Sequence, residues 1–158
     1  MIFKRSQAAL EFLTTYGWAF LIILIMIGAL AYFGILNPSR LLPNRCNVGA
    51  EFQCLDYQIK ATDVKLRLKN NVGEAIDVTI LSITDESANP LTCTSPSPLP
   101  LSWKAGEIED ITFTSCANGA LIDGEKAKVL FTMRYNTVTS GPAYAREVKG
   151  EVYATVIV

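Results

Sequence analysis

The sequence predicts an α+β protein: one long N-terminal apolar α-helix, then an antiparallel β-sandwich. Three observations carry this prediction. Phe12 to Leu36 is a run of 25 residues with no charged side chain. Beyond Val48 the chain breaks into short stretches of alternating apolar and polar residues, separated by Gly, Pro, Asn and Asp, which is the texture of strands and turns. Four cysteines, at positions 46, 54, 93 and 116, all lie beyond the apolar run. An even number there fits disulfides in an oxidising, external compartment.

The helix comes first in chain order. At about 1.5 Å per residue it is about 37 Å long, enough to cross a hydrocarbon core. Tyr16 and Trp18 stand near its start and Tyr32 near its end, where amphipathic rings settle at a membrane interface. Gly17, Gly28 and Gly34 lower helix propensity in water, but small residues let backbones approach in lipid or between packed helices. Asn37-Pro38 is expected to stop the helix, because proline disfavours the helical region at the residue before it.

A secretory signal peptide has a shorter apolar core followed by a small-residue cleavage site, and Leu36-Asn37-Pro38 is not such a site. A single-pass anchor accounts for the length and the aromatic residues. It leaves Glu11, the one acid at the mouth of the segment, unexplained, since desolvating a charge costs at least a few kcal/mol. Lys4-Arg5 favours a cytoplasmic N-terminus. Arg40 and Arg45 flank the other end, so the charge bias is weak.

The order of features from Lys4-Arg5-Ser6 through Gln7-Ala8-Ala9-Leu10-Glu11-Phe12 to Leu13-Thr14-Thr15-Tyr16-Gly17-Trp18-Ala19 resembles the class III signal peptide of archaeal type IV pilins. The likeness covers about 30 of the 158 residues. It implies that residues 1–6 are a basic leader, cut between Ser6 and Gln7 by a dedicated membrane peptidase. The apolar helix, residues 7–36, stays on the mature protein, and Glu11 becomes its fifth residue. Two positions depart from the family: Ser6 stands where glycine is usual before the cut, and Ala9 where serine is often found.

Cutting creates an ammonium group on Gln7. When such helices bundle, Glu11 of one subunit can lie beside the Gln7 ammonium of a neighbour, and a paired charge is tolerated where an unpaired one is not. The pair would also set axial register, as a buried polar residue does in a coiled coil. The competing reading is an acid that snorkels to the headgroups without a partner.

Residues 37–47 read as a linker and residues 48–158 as the headpiece. Asp63-Val64-Lys65-Leu66-Arg67-Leu68-Lys69 alternates as a half-buried strand does, and Asn70-Asn71-Val72-Gly73 turns it. Ala75 to Ile83 is rich in β-branched residues and reads as the next strand. Ser95 to Pro100 is a proline-rich loop. Lys104-Ala105-Gly106-Glu107 turns into a strand over Ile108 to Ser115. Asp123-Gly124-Glu125 leads into Lys126 to Tyr135, with Ala127, Val129, Phe131 and Met133 on one face. Ser140-Gly141-Pro142 precedes a last strand, Arg146 to Val158, with Val148, Val152, Ala154 and Val156 on one face.

Short strands at regular intervals argue for a sandwich without fixing its topology. The late pattern, a strand to Tyr135, the Ser-Gly-Pro turn and Val148-Lys149-Gly150-Glu151-Val152, is similar to the C-terminal half of archaeal pilin headpieces. Those are immunoglobulin-like, so the resemblance implies an immunoglobulin-like antiparallel β-sandwich headpiece.

Three pairings of Cys46, Cys54, Cys93 and Cys116 are possible. The short separations favour Cys46 with Cys54 and Cys93 with Cys116. Metal binding ranks last, because C-x2-C spacing is absent. Trp103 reads as a core plug at the end of the sandwich rather than a binding platform. Asp85-Glu86 and Glu109-Asp110 are not spaced as a calcium loop and read as solvated charges. Tyr135, Tyr144 and Tyr153 fit strand propensity as well as a sticky patch. Asn37-Pro38-Ser39 is barred from the usual glycosylation by its proline, whereas Thr92 to Ser97 has a composition suited to O-linked sugar.

The chain contains no histidine, the commonest general base and metal ligand. No catalytic constellation, phosphate loop or cofactor motif is present, so no enzyme activity, metal or cofactor is expected. Lys plus Arg is 14 and Asp plus Glu is 15, a balance that gives no reason to expect nucleic acid. The leading expectation is a structural subunit of an extracellular filament, anchored in the membrane before it is extracted into a helical homo-polymer, with a role in adhesion. The resemblance implies a prepilin peptidase, an assembly ATPase and a membrane platform protein as partners. The alternatives are a minor pilin or tip adhesin, and a single-pass membrane-anchored surface protein that never polymerises.

Overall fold

The computed structural model of the chain describes residues 3–34, 42–99 and 101–158. The expected helix stop at Asn37-Pro38, the first part of the linker with Arg40, and Pro100 lie outside the described residues. So do the side chains of Ser6 and Gln7. The chain forms two compact units, Met1–Leu42 and Pro43–Val158.

The first unit is α1, Phe3–Tyr32. Past Leu13 its sequence mixes strong helix formers (Ala, Leu and Met) with Thr, Tyr, Gly, Trp, Phe and Ile, which are weaker ones in water. In an apolar medium that matters little, because every backbone N–H and C=O must then be satisfied within the segment. The helix ends before the expected Leu36. Gly34 takes φ 69°, its N–H bonds to the Ala31 carbonyl at 3.1 Å and that of Phe33 bonds to Ala29 at 3.0 Å. A left-handed glycine just past the last turn is a standard helix stop. Gly34 therefore closes the helix rather than lying within it.

The second unit is an antiparallel sandwich. In chain order its strands are β1 (Arg45–Asn47), β2 (Phe52–Ile59), β3 (Val64–Asn70), β4 (Ile76–Thr84), β5 (Thr92–Thr94), β6 (Leu101–Trp103), β7 (Ile108–Ala117), β8 (Lys126–Thr137) and β9 (Arg146–Thr155), with a 3-10 turn at Pro142–Tyr144 before β9. One sheet runs β1-β9-β8-β4-β6 and the other β2-β3-β7-β5. The second sheet matches the ABED sheet of an immunoglobulin-like sandwich, and β4-β8-β9 matches CFG, in the same chain order. β1 and β6 are additions at the two edges of the larger sheet. Arg45–Asn47, assigned to the linker by sequence, belongs to this sandwich because the three residues pair with Tyr153, Val152 and Glu151 of β9.

Alternation builds the core. Val64, Leu66 and Leu68 of β3 and Ile111 and Phe113 of β7 face Val129, Phe131, Met133 and Tyr135 of β8, all 2 % exposed or less. Phe113 meets Phe131 edge-on between the sheets, centroids 6.1 Å apart. Phe52 stacks on Trp103 at 5.4 Å and meets the edge of Tyr135 at 5.3 Å. Such geometry adds about 0.5–1.5 kcal/mol per pair beyond area burial. β4 breaks the simple period: a bulge between Val78 and Ile80 shifts its register against β8. The extra residue turns Ile80 outward and brings Leu81 and Ile83 into the core, as bulges do.

Candidate functional site

The apolar helix is the first candidate. Ala8–Tyr32 has a mean hydropathy of 2.1 and is long and apolar enough to cross a membrane. Its described side chains are exposed. The backbone is already helical at Phe3, so the Ser6–Gln7 bond lies inside the first turns. Gln7 and Glu11 are one turn apart on the same face, about 6 Å along the axis.

Glu11 is the one acidic residue of the helix, and among the described residues no cation pairs with it. The polar groups beside it are already occupied. Thr15 Oγ1 donates to the Glu11 carbonyl at 2.8 Å, and Thr14 Oγ1 to the carbonyls of Leu10 and Glu11 at 3.0 Å each. The two threonine hydroxyls are thus bonded within their own helix. Gly17 and Gly28 have nothing within 4 Å of where a Cβ would stand, so the packing of the helix itself does not require glycine there.

The entry strand is the second candidate. β1 is tied to β9 by backbone pairing and by the Arg45–Glu151 ion pair at 2.7 Å. A disulfide joins Cys46 to Cys54 of β2, in the other sheet, and a second joins Cys93 of β5 to Cys116 of β7. These are the two sequence-neighbour pairs. Sequence reasoning passed over Gly150. A Cβ there would meet the Asn47 carbonyl oxygen at 2.6 Å and Val48 Cα at 2.9 Å. A lone glycine inside a strand marks such a close approach, and that signal is present in Val148-Lys149-Gly150-Glu151-Val152.

Three of the four acidic residues singled out on the headpiece, Asp85, Glu86 and Asp110, are engaged with the protein itself. Asp85 accepts from the N–H groups of Leu91 (2.8 Å), Ala120 (2.9 Å) and Ser87 (3.4 Å) and from the Ser87 hydroxyl (2.8 Å). Burial pushes its pKa up, but the bonds from Leu91, Ser87 and Ala120 outweigh burial and hold it below the ordinary carboxylate value. Asp110 forms a two-pronged ion pair with Arg67, at 2.6 and 2.7 Å, on the outer face of the smaller sheet. The hydrogen bond from Arg67 is the main reason its pKa is lowered. Glu86 pairs with Lys128 at 3.1 Å.

The aromatic candidates separate. Trp103 is 1 % exposed and donates its indole N–H to the Glu107 carbonyl at 3.0 Å, which makes it the core plug of the two readings. Tyr135 is fully buried while Tyr144 is 72 % exposed. Tyr153 lies under the Lys126 ammonium, 5.6 Å from its ring centre. The three tyrosines form no common patch.

All four sheet edges are guarded against strand addition in the usual ways. β1, β5 and β6 are three residues each. β2 carries a bulge between Cys54 and Asp56. The Asp56 carboxylate takes the Tyr57 N–H at 2.8 Å, and the Ile157 N–H covers the Ile59 carbonyl at 2.9 Å. A groove of about 540 Å³ runs along this side, lined by Tyr57, Ile59, Arg67, Asp110 and Thr155 among others. Comparison with protein-family models, with curated proteins and with solved structures finds no match to this chain.

Proposed function

We propose that this chain is a structural subunit of an extracellular filament of the archaeal type IV pilus kind. After removal of residues 1–6 it is held in the membrane by the apolar helix and polymerises through it. The observation that carries the reading is Glu11. An apolar helix ahead of a disulfide-bonded sandwich carries one carboxylate, the hydroxyls next to it are bonded to the backbone of their own helix, and the chain resembles pilins around that residue. An ammonium on Gln7 of a neighbouring subunit supplies the partner. Neighbouring helices then replace the lipid, so a sequence suited to a bilayer also suits a dry filament axis.

Two features support an outer, exposed role for the sandwich. Its disulfides fit an oxidising exterior, and its guarded edges keep copies crowded along a filament from pairing strand to strand. The test is the N-terminal residue of the protein recovered in sheared surface filaments. Gln7 is expected. Retention of Met1, together with absence of the chain from the filaments, would leave a membrane-anchored surface protein instead.

A further inference from the structure

We propose that β1 and the Cys46–Cys54 disulfide form a tension clamp, which transmits a pull arriving at Pro43 into both sheets of the sandwich without letting the entry strand peel away. The use of such a clamp rests on the filament reading above, in which the helix holds the subunit while external forces act on the headpiece.

Little holds β1 by pairing alone. It makes three residue pairs, all with β9, and short isolated pairings are marginal in water. The two strands are antiparallel, with Arg45 opposite Tyr153 near the C-terminal end of β9. A pull on the chain before Pro43 therefore loads the Arg45 pair first, then Cys46, then Asn47, and the strand would open one pair at a time.

Several devices converge on this short strand. The Arg45 guanidinium grips Glu151 at 2.7 Å. Gly150 lets the backbone of Asn47 and Val48 lie where any side chain would collide. Val48, just past the strand, is 1 % exposed. The disulfide leaves β1 at its second residue and enters β2. An opening that starts at Arg45 must stop at Cys46, and the load passes to β2, which pairs with β3 at seven positions on the two sides of its bulge. Through β9 and β2 together, one short segment grips both sheets. The Cys93–Cys116 bond joins neighbouring strands of one sheet, far in sequence from the entry, and provides a matched control.

The test pulls the full chain, in detergent micelles, between tags at its two termini. In the Cys46→Ser/Cys54→Ser variant, an early step of at most about 30 Å is expected before the sandwich unfolds, bounded by the extended length of the eight or so residues released up to β2. Wild-type protein and the Cys93→Ser/Cys116→Ser variant should lack it. Trypsin offers a second readout on the unpulled chain: the bond after Arg45 should resist cleavage in wild type and be cut in the Cys46→Ser/Cys54→Ser variant.

Gly150→Ala keeps the disulfide and lifts β1, so it covers the case in which the serine variant fails to fold. It should weaken the seat of β1 without producing the early step. The same first step in all proteins, or the early step in Gly150→Ala with the disulfide closed, would overturn the clamp. Met1 on the mature protein would instead remove the filament as the source of tension, a result the pulling traces do not depend on.

Discussion

Asp85 holds the backbone of Leu91 at 2.8 Å through one carboxylate oxygen while its other oxygen takes the Ala120 N–H at 2.9 Å. One side chain thus closes the β4–β5 loop and pins it to the β7–β8 loop. Gly119 completes the arrangement. It has φ 72°, and a Cβ there would stand 2.8 Å from Asp85 Oδ2.

Acid should loosen this joint. The folded pKa of Asp85 lies below its ordinary value, so the stability it contributes is present above the unfolded pKa, about 3.9. That stability is lost as pH falls through the lower folded pKa. Thermal melts of wild type and Asp85→Asn are expected to differ most near neutral pH and to converge towards pH 2. A constant gap across that range would contradict the assignment.

Asn70 is the keystone at the other end of the sandwich. It is fully buried, and its amide reaches the carbonyls of Glu74 (2.9 Å), Lys104 (3.1 Å) and Trp103 (3.3 Å) while accepting the Val72 N–H at 2.9 Å. Replacing it with alanine strands several backbone groups at once. Each such group costs about 1–3 kcal/mol when left buried and unmet. Asn70→Ala should therefore lower stability by at least about 2 kcal/mol, whereas Asn71→Ala next to it, which is exposed, should change it little. Denaturant titration of the two variants in the same detergent separates these outcomes.

Tyr135 should behave in the opposite way. Its hydroxyl is buried and no group meets it in good hydrogen-bond geometry, although the Arg146 side chain, opposite it on β9, comes near enough to act on it. Burial raises its pKa and the Glu51 carboxylate adds to the rise, against a smaller pull from Arg146. Removing an unmet polar group relieves its desolvation cost, so Tyr135→Phe should stabilise the sandwich by roughly 1 kcal/mol while keeping the edge contact with Phe52. Ultraviolet titration should also show a late-ionising phenol that is missing from the variant.

What the sequence displays depends on whether a residue's surroundings are local. Val64, Leu66 and Leu68, or Ala127, Val129, Phe131 and Met133, alternate because one face of a long strand is buried, and that pattern is visible without a structure. β1, β5 and β6 are too short to show a period. β2 hides its own by a bulge that leaves Leu55 43 % exposed. Ile80 and Leu81 trade faces for the same reason. Asn70 looks like a turn residue because its partners, Trp103 and Lys104, are more than thirty positions away. Glu11 could be singled out from sequence because a lone charge beside an apolar run is conspicuous by itself. The satisfied state of Thr14 and Thr15 could not, since it depends on side-chain rotamers.

If Glu11 is the group that seeks a partner and the threonine hydroxyls are already occupied, the two kinds of substitution should part company. Glu11→Gln keeps the size of the side chain and removes its charge, and it should cut filament yield about tenfold or more while the chain still accumulates in the membrane. Thr14→Val/Thr15→Val removes two hydroxyls that bond, among the described residues, to the Leu10 and Glu11 carbonyls of their own helix, and i−4 back-bonding of this kind adds little to helix stability. Filament yield should stay near wild type in that variant. Electron microscopy of sheared material, with immunoblots of the membrane fraction, reads both quantities. Equal loss in the two variants would mean that this stretch acts through general polarity, and equal yield would remove Glu11 from assembly altogether.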